Sequence, residues 1–332
     1  MKAAFIRKYG GNEVVEVGDL PTPEPGPSDL LVRIRAASVN PVDFKIRDGM
    51  LKVMLPYRFP LILGSDLAGV VAAAGPAVTC FREGSEIFAR LDKNRIGSFA
   101  EFALVNEANA AAKPGNLSFA EAASIPLVGL TSWQALVEIA GLRAGQKTLI
   151  HAGSGGVGSF AIQLAKHLGA TVATTVGERN VELAKRLGAD IVIDYHKERF
   201  EDALRDMDVV FDTLGDDTQL RSFAVLKPGG TLVTIAGIPT ARFMREWGTN
   251  MFVVLYAAWA NRKATRLARR TGVRFQYLFM RPDGDQLAKI GKLLSDGHIV
   301  PVIDKVFALD DTRNALAYCE GGHAVGKVII QP

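Results

Sequence analysis

The feature that most limits what this chain can become is Gly153-Ser154-Gly155-Gly156-Val157-Gly158. It satisfies G-x-G-x-x-G, a pattern that says little alone in a chain with 33 glycines. Its flanks give it weight. Lys147 to Ala152 reads as a short buried strand. Val157 to Leu168 carries apolar residues at helical spacing, at Val157, Phe160, Ala161, Leu164, Ala165 and Leu168. Glycines between a strand and a helix let the backbone touch a pyrophosphate, and the helix start offers unpaired N–H donors with a partial positive charge. Gly158 lets the helix approach the sheet. The reading is a dinucleotide-binding β-α-β unit.

The surrounding pattern supports that unit. Strand Thr171 to Val176 is followed by helix Asn180 to Leu187, which ends at Gly188. Strands Asp190 to Asp194, Asp208 to Thr213 and Thr231 to Ala236 continue the series with helical segments between them. Such alternation predicts a parallel, doubly wound sheet. The first 120 or so residues differ. Lys2 to Lys8, Val14 to Leu20, Leu30 to Ala37, Ala68 to Ala74, Glu86 to Arg90 and Phe99 to Val105 are β-prone runs. Pro21-Thr22-Pro23-Glu24-Pro25-Gly26-Pro27 between them cannot be helix. Val302 to Leu309, helix Asp311 to Glu320 and strand Gly326 to Ile330 no longer alternate cleanly and are read as a return to the first domain. The expected division is 1–124, 125–275 and 276–332. At roughly 150 residues per domain, a length of 332 fits two cores.

Several function classes drop out. A net charge of +4, from 39 basic and 35 acidic residues mostly interspersed, is no nucleic-acid footprint. Cys80 and Cys319 are the only cysteines, too few for a disulfide framework or a four-thiolate zinc knot. The N-terminal apolar stretch is too short for a signal peptide. The longest apolar run, Met251 to Ala260, falls short of a bilayer span. These features predict a cytoplasmic protein with no nucleic-acid or membrane partner. Residues 240 to 282 are the least readable. The apolar run precedes Arg262, Lys263, Arg266, Arg269 and Arg270. A membrane or anion patch is one reading, and a helical insertion with one solvated basic face is the favoured one.

The second strand of the β-α-β unit bears on the nucleotide. NAD-binding versions end this strand in a carboxylate that grips the ribose 2′-hydroxyl. Here Thr171 to Val176 ends without one. Thr174, Thr175 and Arg179 lie where a 2′-phosphate would be, and arginine binds phosphate by charge-assisted bonds. NADP(H) is therefore favoured over NAD(H). Glu178 is awkward, since it would repel a phosphate if it pointed inward; its bland role is an acid at a helix start.

Three segments carry a family resemblance: Ala152 to Ala170 (AGSGGVGSFAIQLAKHLGA), Leu63-Gly64-Ser65-Asp66-Leu67-Ala68-Gly69, and Ser38-Val39-Asn40-Pro41-Val42-Asp43-Phe44-Lys45. They resemble the medium-chain dehydrogenase/reductase superfamily, and within it the zinc-free NADPH:quinone oxidoreductase and enone (alkenal) reductase branch. The resemblance implies an α/β protein with a GroES-like β-rich domain, a Rossmann domain, a C-terminal return, a cofactor in the cleft between the domains, and a homodimer. Zinc-dependent members carry an early Cys ligand and a Gly-His-Glu segment. This chain has Ser38-Val39-Asn40 and Gly64-Ser65-Asp66 there, and its five histidines are scattered, so no metal site is expected. Alcohol oxidation needs an alkoxide, which zinc makes as a Lewis acid. Without zinc the better task is hydride delivery to a quinone or an α,β-unsaturated carbonyl, whose developing oxyanion can be held by hydrogen-bond donors. A zinc-independent alcohol or aldehyde oxidoreductase is the runner-up, and an NADPH-binding regulatory protein without turnover is the third reading.

The resemblance also implies site residues. Asn40, Asp43 and Lys45 occupy a segment that lines the nicotinamide side in relatives, and Lys45 is the candidate to bind a phosphate, donate to the acceptor oxygen or relay a proton. Asp43 has the alternative of pairing with a base such as Arg47. Thr131 matches a threonine that meets the nicotinamide. Tyr195 resembles a tyrosine near the adenosine phosphate. Gly237 should pass near the nicotinamide, and Lys327 resembles a lysine of the cofactor cleft. With Gly153, Ser154, Gly155, Gly156, Val157, Gly158, Thr174, Thr175 and Arg179, these complete the expected cofactor set.

Overall fold

The computed structural model describes all residues, 1–332. The chain divides into two compact units, Met1–Leu130 with Arg281–Pro332, and Thr131–Met280. The divisions thus fall at 130/131 and 280/281, where the sequence suggested 124/125 and 275/276. The first lies inside helix Pro126–Trp133, where composition changes too gradually to mark an edge.

Unit Thr131–Met280 is built on six parallel strands. In spatial order they are Ile191–Asp194, Thr171–Val176, Lys147–Ile150, Met207–Asp212, Leu226–Thr234 and Arg274–Tyr277. Numbered along the chain, that order is 3-2-1-4-5-6, the doubly wound dinucleotide-binding arrangement. Strand Met207–Asp212 is buried at every residue, as expected when both sheet faces are covered by helices. Leu149, Ala173, Val210 and Leu232 from the strands pack with Phe200, Phe223 and Ala264 from the connections. Strand order reverses between Lys147–Ile150 and Met207–Asp212, and ligands bind outside the carboxyl ends of such a pair. The segment that resisted reading holds helices Ala241–Glu246, Met251–Ala260 and Arg262–Thr271, then the sixth strand. Arg274-Phe275-Gln276-Tyr277 is too short, and too little buried, to announce itself.

The other unit holds a seven-stranded and a three-stranded sheet. Its long strand, Asp29–Val39, pairs with Asp66–Ala74, Phe102–Asn106 and Lys327–Gln331. The C-terminal return is therefore a sheet pairing, with Ile303–Ala308 alongside Lys327–Gln331. Two registers matter for chemistry. Ser38 lies opposite Asp66, and Val39 lies opposite Val328. Together they bring Asn40, Asp66 and Lys327 to one place.

Candidate functional site: a phosphate loop and a buried polar cluster

The glycine loop is pinned from below. A Cβ at Gly153 would stand 2.1 Å from Thr174 Oγ1, whose hydroxyl donates to the Ile150 carbonyl at 2.7 Å. A Cβ at Gly158 would stand 2.2 Å from the Ala152 carbonyl oxygen. Only residues without side chains let the helix start and the strand end approach this closely. Ala152 itself has φ +51°, in the left-handed region that costs a non-glycine residue about 1 kcal/mol. Two bonds hold it there: its N–H donates to Thr175 Oγ1 at 3.3 Å, and its carbonyl accepts from Gly155 N–H at 3.0 Å.

Above this floor the loop offers donors. Helix Gly156–His167 begins at Gly155, which supplies no side-chain cap. A helix start leaves its first N–H groups without intrahelical partners, here those of Gly156, Val157 and Gly158. Ser154, Gly155, Gly156 and Val157 are half-buried, so the turn faces outward. Asn180 Nδ2 donates to Ser154 Oγ at 3.1 Å and ties the loop to the end of the second strand.

Behind the loop runs a hydrogen-bonded chain that sequence reasoning missed. His151 is fully buried between Thr175 Oγ1 (Nδ1, 3.1 Å) and Ser222 Oγ (Nε2, 2.9 Å). Ser222 Oγ donates to the Thr218 carbonyl at 2.7 Å, so it accepts from Nε2–H. Nδ1 then accepts from the Thr175 hydroxyl. Each proton has one place to go, and the imidazole is neutral; burial pushes its pKa down to about 4. Asp212, at the end of strand Met207–Asp212, accepts from the Leu214 and Gly215 N–H groups at 3.0 and 2.9 Å and from Thr234 Oγ1 at 2.8 Å. It shapes the turn at the switch point, and a lone aspartate at a strand end gave no signal of that role.

At the nucleotide-discriminating corner the expectations divide. Thr174 and Thr175 are buried and their hydroxyls are spent on Ile150 and His151, so they support the loop instead of presenting to a phosphate. Arg179 is exposed and forms no ion pair. Glu178 is held by Lys197, which answers its repulsion. Tyr195 is exposed; its hydroxyl lies beside Gly177, which precedes Arg179, and its ring stands 4.2 Å from that of His196. Thr131 is buried on helix Pro126–Trp133, and Gly237, φ +73°, follows strand Leu226–Thr234 at the surface.

The first unit encloses a second cluster. Asp66 is fully buried, and its Oδ2 accepts from Ser38 Oγ at 3.0 Å and Asn40 Nδ2 at 2.9 Å, while Oδ1 accepts from Leu127 N–H at 3.1 Å. Arg90 Nε lies 3.9 Å from Oδ1 and Lys327 Nζ 4.0 Å from Oδ2. Lys327, 5% exposed, donates to the Val39 carbonyl at 3.0 Å and to Asn40 Oδ1 at 2.5 Å. Asp43 is also sealed, accepting from Asn40 N–H at 2.7 Å and Ser65 Oγ at 3.1 Å. Burial pushes the Asp43 carboxyl up to about 7, raises that of Asp66 and lowers the Lys327 ammonium. Two acids and two bases are buried together, with Arg90 Nε lacking a hydrogen-bond partner, an arrangement whose value depends on every partner being present.

Three expected site residues lie within this cluster. Asn40, 1% exposed, has both amide hydrogens and its carbonyl engaged, so it holds the strand–helix corner. Asp43 ties down the start of helix Pro41–Arg47 instead of meeting a base; Arg47 pairs with Asp48 at 2.8 Å and Glu320 at 3.0 Å. The Lys327 ammonium is engaged inside this unit by the Val39 carbonyl and Asn40 Oδ1. Lys45, on the same short helix, is half-buried and its ammonium forms no ion pair. No three histidine, cysteine, aspartate or glutamate side chains converge as metal ligands would.

Comparison with known proteins fits this geometry. Residues 26–115 match a family described as the alcohol dehydrogenase GroES-like domain, and residues 187–330 match one described as zinc-binding dehydrogenase. A 2-methylene-furan-3-one reductase of Solanum lycopersicum is 37% identical over 343 aligned positions, covering 100% of this chain and 79% of that protein. An NADPH-dependent alkenal/one oxidoreductase, chloroplastic, of Arabidopsis thaliana is 35% identical, covering 100% and 80%. The structure of the quinone oxidoreductase from Coxiella burnetii superposes with a TM-score of 0.88 at 32% identity, covering 100% of this chain and 99% of the other.

Proposed function

The chain belongs to the medium-chain dehydrogenase/reductase superfamily, in its zinc-free quinone and alkenal oxidoreductase branch, and on that premise we propose that it transfers hydride from NADPH to a quinone or an α,β-unsaturated carbonyl. The observation that carries this reading is the outward-facing turn Ser154–Val157 at a helix start, with no side chain capping it and no carboxylate at the end of the second strand. That donor set suits the pyrophosphate of a dinucleotide.

Gly156, Val157 and Gly158 would hold the pyrophosphate through backbone N–H groups, with Gly153, Ser154 and Gly155 shaping the turn. Arg179 would take the 2′-phosphate, with Tyr195 beside it, and Thr174 and Thr175 act from beneath by fixing the loop. Thr131 and Gly237 are assigned to the nicotinamide end. When bound, NADPH supplies a hydride to an electron-poor carbon. The acceptor's oxygen gains negative charge as that happens and needs a donor. Lys45 is the free cation on the helix that Asn40 and Asp43 fasten, and we assign it to that oxygen as hydrogen-bond donor and proton source. The small-molecule acceptor, a homodimeric assembly and a cytoplasmic location complete the proposal; no helix is long and apolar enough to cross a membrane.

The test is NADPH oxidation against a panel of quinones and conjugated enones, with and without a chelator. Turnover that survives chelation is expected. Lys45→Met should lower kcat by about 100-fold and leave NADPH affinity within twofold. Tight NADPH binding with no turnover on any acceptor would favour the regulatory reading.

A further inference from the structure

Charge is segregated in this molecule. Residues 247 to 280 contain six basic residues, Arg262, Lys263, Arg266, Arg269, Arg270 and Arg274, and no acidic one. The whole chain carries +4, so everything else sums to 4 − 6 = −2. Of the basic residues on helix Arg262–Thr271, Lys263, Arg266, Arg269 and Arg270 are exposed and form no ion pair, while Ala264 and Ala268 face the core.

The helix just before it is unusual in the opposite sense. On Met251–Ala260 only Val254 and Ala257 are buried. Phe252 is 84% exposed, and Met251, Leu255, Tyr256 and Trp259 lie between 56% and 62%. Monomeric soluble surfaces rarely gather five large apolar side chains on one short helix. The two helices are joined chemically. The Arg262 guanidinium lies 4.5 Å from the Trp259 ring centre and donates to the Trp259 carbonyl at 2.9 Å, and the Tyr256 and Trp259 rings stack at 6.1 Å.

We propose that helices Met251–Ala260 and Arg262–Thr271 form a docking surface for an anionic lipid bilayer. A second copy would cover the apolar helix, but a two-fold contact there would bring two acid-free basic helices together. An acidic protein would match the cations but not five bulky apolar side chains left in water. A bilayer surface answers both. Phe252, Leu255 and Met251 fit the acyl boundary, Tyr256 and Trp259 the headgroup level, and the unpaired cations the negative headgroups. This inference is independent of the reaction assigned above.

The test uses the full chain with phosphatidylcholine vesicles, with and without phosphatidylserine, followed by co-sedimentation at rising salt. Sedimentation is expected only with phosphatidylserine and should fade as salt increases. The triple variant Arg266→Gln/Arg269→Gln/Arg270→Gln should weaken partitioning about 100-fold. Phe252→Ser/Trp259→Ser should weaken it at least about tenfold. Both variants should keep NADPH-dependent turnover and thermal stability, which shows that they fold. No preference for anionic vesicles would overturn the proposal, as would sedimentation that neither variant affects. So would a fall in solution mass on Phe252→Ser/Trp259→Ser without any vesicle binding, which would assign the face to a second copy.

Discussion

The phosphate loop and the buried cluster solve opposite problems. The loop keeps a row of N–H donors unsatisfied and outward, and uses glycine, His151 and two threonine hydroxyls to keep the backbone in that shape. The cluster seals four ionisable groups and pairs them with one another and with neighbouring backbone and hydroxyl groups, with Arg90 Nε left without a hydrogen bond. One presents its donors outward and the other spends nearly all of its polar atoms within the fold. Polar residues in a predicted site are therefore not equivalent: what separates Lys45 from Lys327 is whether a partner within the fold has already claimed the ammonium.

The largest effect tests the completeness of the cluster. Lys327→Met leaves Asp66 buried without its lysine and Asn40 Oδ1 without its donor. It should destabilise the first unit by about 4 kcal/mol in urea denaturation. A loss under about 1 kcal/mol, with weakened NADPH binding, would return Lys327 to the cofactor.

Next comes pH, where the two regions should oppose each other. Asp43 is raised to about 7 by burial, so the folded state holds a proton that the unfolded carboxyl has released above pH 3.8. Its contribution is full below pH 3.8 and is lost as pH rises through about 7. His151 is lowered to about 4, so the unfolded state takes up a proton first as pH falls below 6.5, and stability is lost between 6.5 and 4. Asp43→Asn should therefore gain on the wild type by roughly 4 kcal/mol from pH 4 to pH 8. His151→Gln should lose ground by roughly 3 kcal/mol as pH rises from 4 to 7. Denaturation midpoints across pH read both slopes; equal signs would break the contrast.

A smaller effect separates two glycines of the loop. Gly158→Ala meets the Ala152 carbonyl oxygen at 2.2 Å, whereas the nearest atom to a Cβ at Gly155 is the same oxygen at 3.4 Å. The first should cost about 2 kcal/mol of stability and weaken NADPH binding more than tenfold, and the second should stay within about 0.5 kcal/mol. Calorimetry with NADPH titration distinguishes them. Smallest is Arg179→Gln, which should cut the preference for NADPH over NADH, as a ratio of kcat/KM values, by about tenfold. An unchanged ratio would move the 2′-phosphate elsewhere.

What the sequence disclosed follows the same contrast. The loop is six consecutive residues, so its spacing together with the flanking strand and helix exposes it, and the alternation after residue 125 reveals five of the six parallel strands. The cluster is drawn from residues 38–43, 65–66, 90 and 327, and only the pairing of Val39 with Val328 brings its ends together. No local pattern encodes that register. Asn40 and Lys327 were visible as resemblances, but whether they touch a ligand or each other depends on the sheet. Thr174 and Thr175 make the same point: adjacent hydroxyls at a strand end suggest a phosphate, and in the fold both bond the loop's own support. His151 owes its role to Thr175, 24 residues away, and Asp212 joins the local N–H groups of Leu214 and Gly215 to Thr234, 22 residues away.

Hydride delivery from NADPH to a conjugated acceptor leaves an isotopic trace. NADPH deuterated at the transferable position is supplied with a conjugated enone and the label is located by mass spectrometry. One deuterium is expected at the β-carbon of the saturated product, in protein treated with chelator. Turnover that leaves the product unlabelled, or label at the carbonyl carbon of an alcohol, would contradict it.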